Sequence, residues 1–167
     1  EKGPNTGGMG AYSPAPIINK KLEEKIINKI VKPTLSALKK NRNPYTGFLY
    51  VGLMIIKNEP YLIEYNVRMG DPECQVIIPR LKTDLVHLIN ASIENKLNKI
   101  KIKWNNKKCM TIVLCSIGYP NKQLSNKKIS LEKVKLTKKS FIFHASTKMK
   151  NGSLLSSGGR VLNIVAL

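Results

Sequence analysis

Acidic side chains are scarce in this chain. Ten Asp and Glu stand against 29 Lys and Arg, giving a formal net charge of +19 over 167 residues. Such an excess can attract nucleic acid or an anionic surface. Aromatic residues make up only 6% of the chain, so stacking platforms for single strands are few. The lysines are dispersed among Asn and Ile, as in Asn19-Lys20-Lys21 and Asn105-Asn106-Lys107-Lys108. That pattern reads as a compositional habit and predicts no specific nucleic-acid partner. Cysteine is sparse too. Cys74, Cys109 and Cys115 form no C-x-x-C pair, which argues against a disulfide framework and a zinc site and fits a reducing cytosol. No stretch approaches the ~20 apolar residues of a membrane span, so no membrane partner is expected.

Hydrophobic residues at 42% suffice for a packed core, and the length allows one domain, or one domain with a small companion. Glu1-Lys2 stands directly beside a Gly-rich motif, with no initiator Met and no secretory leader, an arrangement expected of a fragment lacking its upstream part.

The chain is organised around Leu62-Ile63-Glu64-Tyr65-Asn66-Val67-Arg68-Met69-Gly70-Asp71-Pro72-Glu73. An apolar run leads into it, so Glu64 is expected at the end of a buried strand. Strand side chains alternate between faces, which puts Glu64, Asn66 and Arg68 on one side and Ile63, Tyr65 and Val67 on the other. Carboxylate and amide oxygens suit Mg²⁺, which shares its shell with phosphates, and a guanidinium suits a phosphate or carboxylate. A polar edge strand followed by a Gly-Asp-Pro turn fits the same residues.

Along the rest of the chain, residues 3–16 exclude a regular helix or central strand, and Gly7, Gly8 and Gly10 allow close backbone approach to an anion. Residues 20–40 predict an amphipathic helix with Leu22, Ile26, Ile30, Leu35 and Leu38 along one stripe, interrupted at Pro33. Gly47–Ile56 predicts a buried strand, Lys57–Pro60 a turn, and Tyr61–Val67 an antiparallel return. A short helical piece is expected in Pro72–Arg80, then a helix Leu85–Leu97 capped by Asp84. After Asn105, strands are expected at Cys109–Ile117, weakly near Val134, at Phe141–Ser146 and at Arg160–Ala166. His87 and His144 have no companions for a triad or metal set and read as structural.

The Ile63–Glu73 string resembles the Glu-x-Asn motif of the ATP-grasp ligases, in the form found in the phosphoribosylamine–glycine ligases. Gly3-Pro4-Asn5-Thr6-Gly7-Gly8-Met9-Gly10-Ala11-Tyr12-Ser13-Pro14, Tyr45-Thr46-Gly47-Phe48-Leu49-Tyr50 and Gly158-Gly159-Arg160-Val161-Leu162 agree with the same family in the right order. The resemblance implies an α+β fold: the second lobe of an ATP-grasp domain over residues 1–104, then a small β-rich C-terminal domain over 105–167. It implies ATP-dependent joining of glycine to 5-phosphoribosylamine through glycyl phosphate, in de novo purine synthesis, by an enzyme that is cytoplasmic and, at full length, monomeric. The isolated chain is expected to be inactive.

Carried onto this sequence, the resemblance makes Glu64 and Asn66 ligands of Mg²⁺ or Mn²⁺ at the ATP phosphates. It gives Arg68 and Asp71 catalytic roles, and makes Asn5, Thr6, Gly7, Gly8, Met9, Gly10, Glu73 and Arg160 substrate contacts. Phe48–Ile56 departs from the wider superfamily in carrying no Asp or Glu as a further metal ligand. Another ATP-grasp ligase, a basic nucleic-acid-binding module and a degenerate scaffold are the rival readings. The Gly3–Pro14 string argues against the first, and the intact Glu64/Asn66 pair against the last.

Overall fold

The computed structural model describes residues 3–167. In chain order its elements are β1 (Gly10–Ser13), α1 (Lys20–Ile26), α2 (Lys32–Lys40), β2 (Tyr50–Ile56), β3 (Glu59–Asn66), α3 (Cys74–Ile77), α4 (Leu85–Ile93), β4 (Cys109–Cys115), β5 (Ser140–His144), β6 (Thr147–Lys150), β7 (Ser153–Ser156) and β8 (Arg160–Ala166). They form two compact units. One comprises Pro14–Gly70 and Leu81–Asn105; the other comprises Glu1–Ser13, Asp71–Arg80 and Asn106–Leu167. This division differs from a single cut at 104/105. The Gly-rich segment and Asp71–Arg80 group with the later strands, because β1 pairs with β4 and α3 packs on the same sheet. Pairing partners a hundred residues away leave no local trace in the sequence.

In the Pro14–Gly70 unit the chain is helical from Lys20 to Lys40. Asn19 caps α1, its side chain accepting from the Leu22 N–H at 2.9 Å, and Leu22 is buried. Pro33 does not break this segment. A proline has no N–H and its ring clashes with the carbonyl four residues back. A π-helical stretch, Ile27–Val31, precedes it, with the Lys32 N–H bonded to Ile27 O five residues back. That wider turn accommodates the ring and lets α2 continue.

β2 and β3 form an antiparallel hairpin closed by Lys57 and Asn58, both at positive φ (50° and 61°). A two-residue loop of this kind matches the twist of the strands it joins, so β3 begins at Glu59, earlier than the expected turn allows. The strand expected over Gly47–Ile56 forms at Tyr50–Ile56 but is not buried as expected. Met54 and Ile56 are 53% and 50% exposed, and Ile63 on β3 is 64% exposed. A hairpin of two strands has no second layer over one of its faces within this unit, so apolar composition does not become burial. α4 also ends earlier than expected. Asp84 caps it, accepting from the His87 N–H at 2.7 Å, but Asn95 adopts φ 55° and the Lys96 N–H closes on Ala91 O at 2.7 Å. A left-handed residue of this kind terminates a helix.

Glu59, at the start of β3, ties the hairpin to the helical segment. Lys25 pairs with its Oε1, and Lys29 Nζ lies 3.0 Å from Oε2. The hydrogen bonds from Lys25 and then Lys29 hold the Glu59 carboxyl below its ordinary value of 4.5. A depressed carboxylate contributes stability that is fully present above the unfolded value and lost as pH falls through the folded one. Glu59→Gln is therefore expected to melt slightly below the unmodified protein at neutral pH, with the gap closing in acid below 4.5. A gap that is the same at all pH values would show that the ion pairs are not its source.

The other unit is a four-stranded antiparallel sheet in the order β1-β4-β8-β5, with a separate β6–β7 hairpin. On β4, Cys109, Thr111 and Val113 are buried, while Met110, Ile112 and Leu114 face out, the period-two pattern of a half-covered strand. α3 covers the inner face, where Val76, Cys109 and Val165 form the core against Ala11, Phe143 and Leu167. No strand forms near Val134 among the described residues; that Lys-rich stretch is irregular apart from a bridge between Lys128 and Leu155. The β6–β7 hairpin was not anticipated, although its Asn151-Gly152 turn, at φ 48° and 73°, is a strong hairpin signal.

Candidate functional site

Two groups of side chains carry the chemistry, one in each unit. In the Pro14–Gly70 unit the end of β3 brings together Glu64, Asn66 and Arg68, as strand alternation predicts. Asn66 Nδ2 donates to Glu64 Oε1 at 3.0 Å, Arg68 Nη2 approaches Asn66 Oδ1 at 3.4 Å, and Arg68 Nη1 donates to Met69 O at 2.9 Å. Gly52 lies opposite Glu64 on β2, and a Cβ there would stand 3.0 Å from Glu64 Cγ. The glycine leaves room for the glutamate stem. A register shift between Gly52 and Leu53 makes Ile63 the extra residue of a bulge, immediately before Glu64. Bulges re-aim side chains at such positions.

The donor set is two carboxylate oxygens and one amide oxygen on neighbouring side chains. Hard oxygens of this kind fit Mg²⁺ or Mn²⁺, which keep water and phosphate oxygens for the remaining positions. Among the described residues no cluster of three or more His, Cys, Asp or Glu offers a fuller metal cage.

In the second unit Arg160, at the start of β8, clamps the Gly-rich segment to Asp71. Its Nη1 donates to Gly8 O at 3.0 Å and to Asp71 O at 3.1 Å, and its Nη2 donates to Asp71 Oδ2 at 2.6 Å. Asp71 Oδ1 accepts from Gln75 Nε2 at 3.0 Å. Both oxygens of Asp71 are thus engaged, which suits positioning better than proton transfer. Gly7 N–H donates to the Tyr119 hydroxyl at 2.9 Å. The glycines are required by close approach: a Cβ at Gly7 would lie 2.8 Å from Arg160 Cζ, and one at Gly8 would overlap the Pro72 ring. Met9 O accepts from the Val113 N–H at 3.0 Å, and Gly10 begins β1. Asn5 and Thr6 are exposed in the same loop, and Glu73 precedes α3 with its carbonyl accepting from Val76 and Ile77.

None of the three thiols is activated. Burial pushes up Cys74, reinforced by the Asp71 charge; burial also raises Cys109 and Cys115, against the opposing Arg80 and Arg160 charges. A thiolate nucleophile is not built here. His144 Nδ1 bonds Thr147 Oγ1 at 3.0 Å, consistent with a structural role.

Residues that linear reading passed over are Tyr119, Gln123, Ser146 and Asn163, which with Arg160 and Asp71 wall one cavity. Asn163 had a signal: an amide within the apolar run Val161-Leu162-Asn163-Ile164-Val165, fully buried in β8. The other three lie in or beside loops and had none.

The phosphoribosylglycinamide synthetase ATP-grasp (A) domain matches residues 1–74, and the C domain of the same synthetase matches residues 109–167. The phosphoribosylamine–glycine ligase of Agrobacterium fabrum is 45% identical over 99% of this chain, and that of Caldanaerobacter subterraneus is 46% identical over 100% of it. The crystal structure of the Thermotoga maritima phosphoribosylamine–glycine ligase superposes with a TM-score of 0.83 at 34% identity over 98% of the chain. The chain spans about 40% of the length of these relatives. Matched end to end in sequence and in structure, the chain belongs to the phosphoribosylglycinamide synthetase (phosphoribosylamine–glycine ligase) family and carries its ATP-grasp (A) and C-domain signatures.

Proposed function

We propose that this chain works within a longer ATP-dependent ligase that joins glycine to 5-phosphoribosylamine, giving glycinamide ribonucleotide, ADP and phosphate, in purine biosynthesis. The observation that carries this reading is the end-to-end match to phosphoribosylamine–glycine ligases at 45–46% identity. ATP phosphorylates the glycine carboxylate; the amine of phosphoribosylamine attacks the glycyl phosphate, the new C–N bond forms, and phosphate leaves with its electron pair. Each step is governed by positioning and charge stabilisation, and no side chain needs to act as a covalent nucleophile.

Glu64 and Asn66 would hold Mg²⁺ or Mn²⁺, and such a cation, when bound, would neutralise charge on the ATP phosphates. Arg68 steadies a phosphoryl or carboxylate oxygen. Arg160 and Asp71 hold the Gly7–Gly10 backbone in its binding shape, and Asn5, Thr6, Met9 and Glu73 border the substrate. In this reading the compartment is the cytoplasm and the complete enzyme a monomer. Separately, no helix among the described residues is long and apolar enough to cross a membrane.

The test is ADP release by the complete enzyme, meaning this chain together with the remaining length its relatives possess. Release is expected to require glycine and phosphoribosylamine together. ADP formation indifferent to glycine would overturn the reading.

A further inference from the structure

Three buried side-chain atoms among the described residues have no hydrogen-bond partner: Gln75 Oε1, Thr111 Oγ1 and Asn163 Oδ1. Of these residues only Asn163 walls the cavity of about 290 Å³ in the C-terminal unit. Asn163 is 2% exposed. Most buried polar atoms in folded proteins are satisfied, so an orphan at a cavity wall leaves a bond that an occupant of the cavity can supply.

Strict alternation along a strand would put Arg160 and Asn163, three residues apart, on opposite faces. Both nevertheless wall the cavity. Leu114 pairs with Leu162 and Cys115 with Arg160, which leaves Val161 as the extra residue of a bulge. The bulge turns Arg160 onto the face that carries Asn163. Gly158 and Gly159 let wall side chains pack directly on the backbone: a Cβ on Gly158 would lie 2.7 Å from Ser146 Oγ, and one on Gly159 would strike the Tyr119 ring and lie 2.7 Å from Gln123 Oε1.

The lining specifies the ligand's chemistry. Arg160 directs three of its N–H donors to Gly8 O, Asp71 O and Asp71 Oδ2, and its ion pair with Asp71 sets the one cation at the wall against the one anion. A free phosphate would meet the Asp71 carboxylate beside a guanidinium whose charge that carboxylate already offsets. The other polar walls are the hydroxyls of Tyr119 and Ser146 and the amides of Gln123 and Asn163. Each of these groups can both donate and accept, as an alcohol does. A hydroxyl therefore satisfies Asn163 in either orientation of its amide. The volume is near the small end of ligand pockets, about 300 Å³, which suits a fragment of sugar size.

We propose that this cavity is a subsite for the neutral, hydroxyl-bearing pentose of the amine substrate. The assignment of the pentose to that substrate rests on the ligase reading above; the preference for a neutral polyol rests on the cavity alone.

The experiment uses the complete enzyme and two substitutions. Gln123 is exposed at the rim, so Gln123→Ala leaves folding intact; Asn163→Leu removes the orphan amide at similar volume. Each is expected to raise KM for phosphoribosylamine about tenfold, the loss of one hydrogen bond of about 1.4 kcal/mol, with KM for glycine and for ATP unchanged. Ribose 5-phosphate, titrated as a stable probe, is expected to bind the unmodified protein and to lose about tenfold in Gln123→Ala, while inorganic phosphate binds neither differently. Unchanged KM and unchanged ribose 5-phosphate affinity in Gln123→Ala would overturn the subsite, whatever becomes of Asn163→Leu. Failure of the ligase reading is a distinct result: no glycine-dependent ADP release, with ribose 5-phosphate affinity still dependent on Gln123.

Discussion

Glu64→Gln is expected to lower glycine-dependent ADP formation by the complete enzyme on the order of 10²-fold or more, with the fold unchanged. Glutamine keeps the size and hydrogen-bonding reach of glutamate but lacks its charge, so the substitution isolates what the carboxylate does for a divalent cation. Disturbing even the outer partners of a metal ligand costs ~10–100-fold in affinity or activity, and removing a charged ligand costs at least as much. Asn66→Leu is expected to match it, since it deletes the neighbouring amide oxygen, 3.4 Å from Arg68 Nη2. Glu64 is exposed and its contact with Asn66 is a surface one, so neither substitution should move the melting temperature much. Turnover should recover in part as Mg²⁺ is raised. Ordinary turnover by either variant at ordinary Mg²⁺ would take both residues out of the proposed metal site.

Arg160→Lys is expected to damage both stability and turnover, although it preserves the charge. The guanidinium reaches Gly8 O at 3.0 Å, Asp71 O at 3.1 Å and Asp71 Oδ2 at 2.6 Å at once. An ammonium is a compact point charge and cannot reproduce that fork. Keeping the Asp71 pair, it forfeits the two carbonyl contacts at ~0.5–1.5 kcal/mol each, about 1–3 kcal/mol together. For a protein of this size that corresponds to a fall in Tm of about 2–12 °C. Freed from Arg160, the Gly7–Gly8 backbone also loses its fixed position, and if it borders the substrate as proposed, a misplacement of ~1 Å there can cost ~10²-fold in rate. Thermal melting and steady-state kinetics on the same preparation check both halves. A lysine variant with unaltered Tm and turnover would show that the clamp is dispensable.

Much of the helical and hairpin structure was legible because its causes are local. Asn19 and Asp84 lie where capping side chains belong, and each accepts a backbone N–H three residues on. Pro33 announced a disturbance, but the sequence does not say that a π-helical stretch would absorb it. Helix ends were less legible. α4 stops at Ile93 because Asn95 turns left-handed, although the apolar pattern runs on to Leu97. Burial was least legible: β2 is apolar enough for a core strand, yet Met54 and Ile56 stand half exposed. Hydropathy describes a side chain's preference, while exposure depends on which elements cover it.

The sequence by itself determined the family, through the Gly3–Pro14 and Ile63–Glu73 strings, and the grouping of Glu64, Asn66 and Arg68. That grouping follows from the two-residue period of a strand, a local property of the backbone. Only the tertiary structure decided that Arg160 would hold Asp71 and Gly8, 89 and 152 residues away. It alone joined the Gly-rich segment to the sheet of the C-terminal unit, and it alone left the Asn163 oxygen unpartnered at a cavity wall. These features arise from strand order and register between distant segments, which local periodicity does not encode. A bulge of one residue at Val161 is enough to change which side chains share a face.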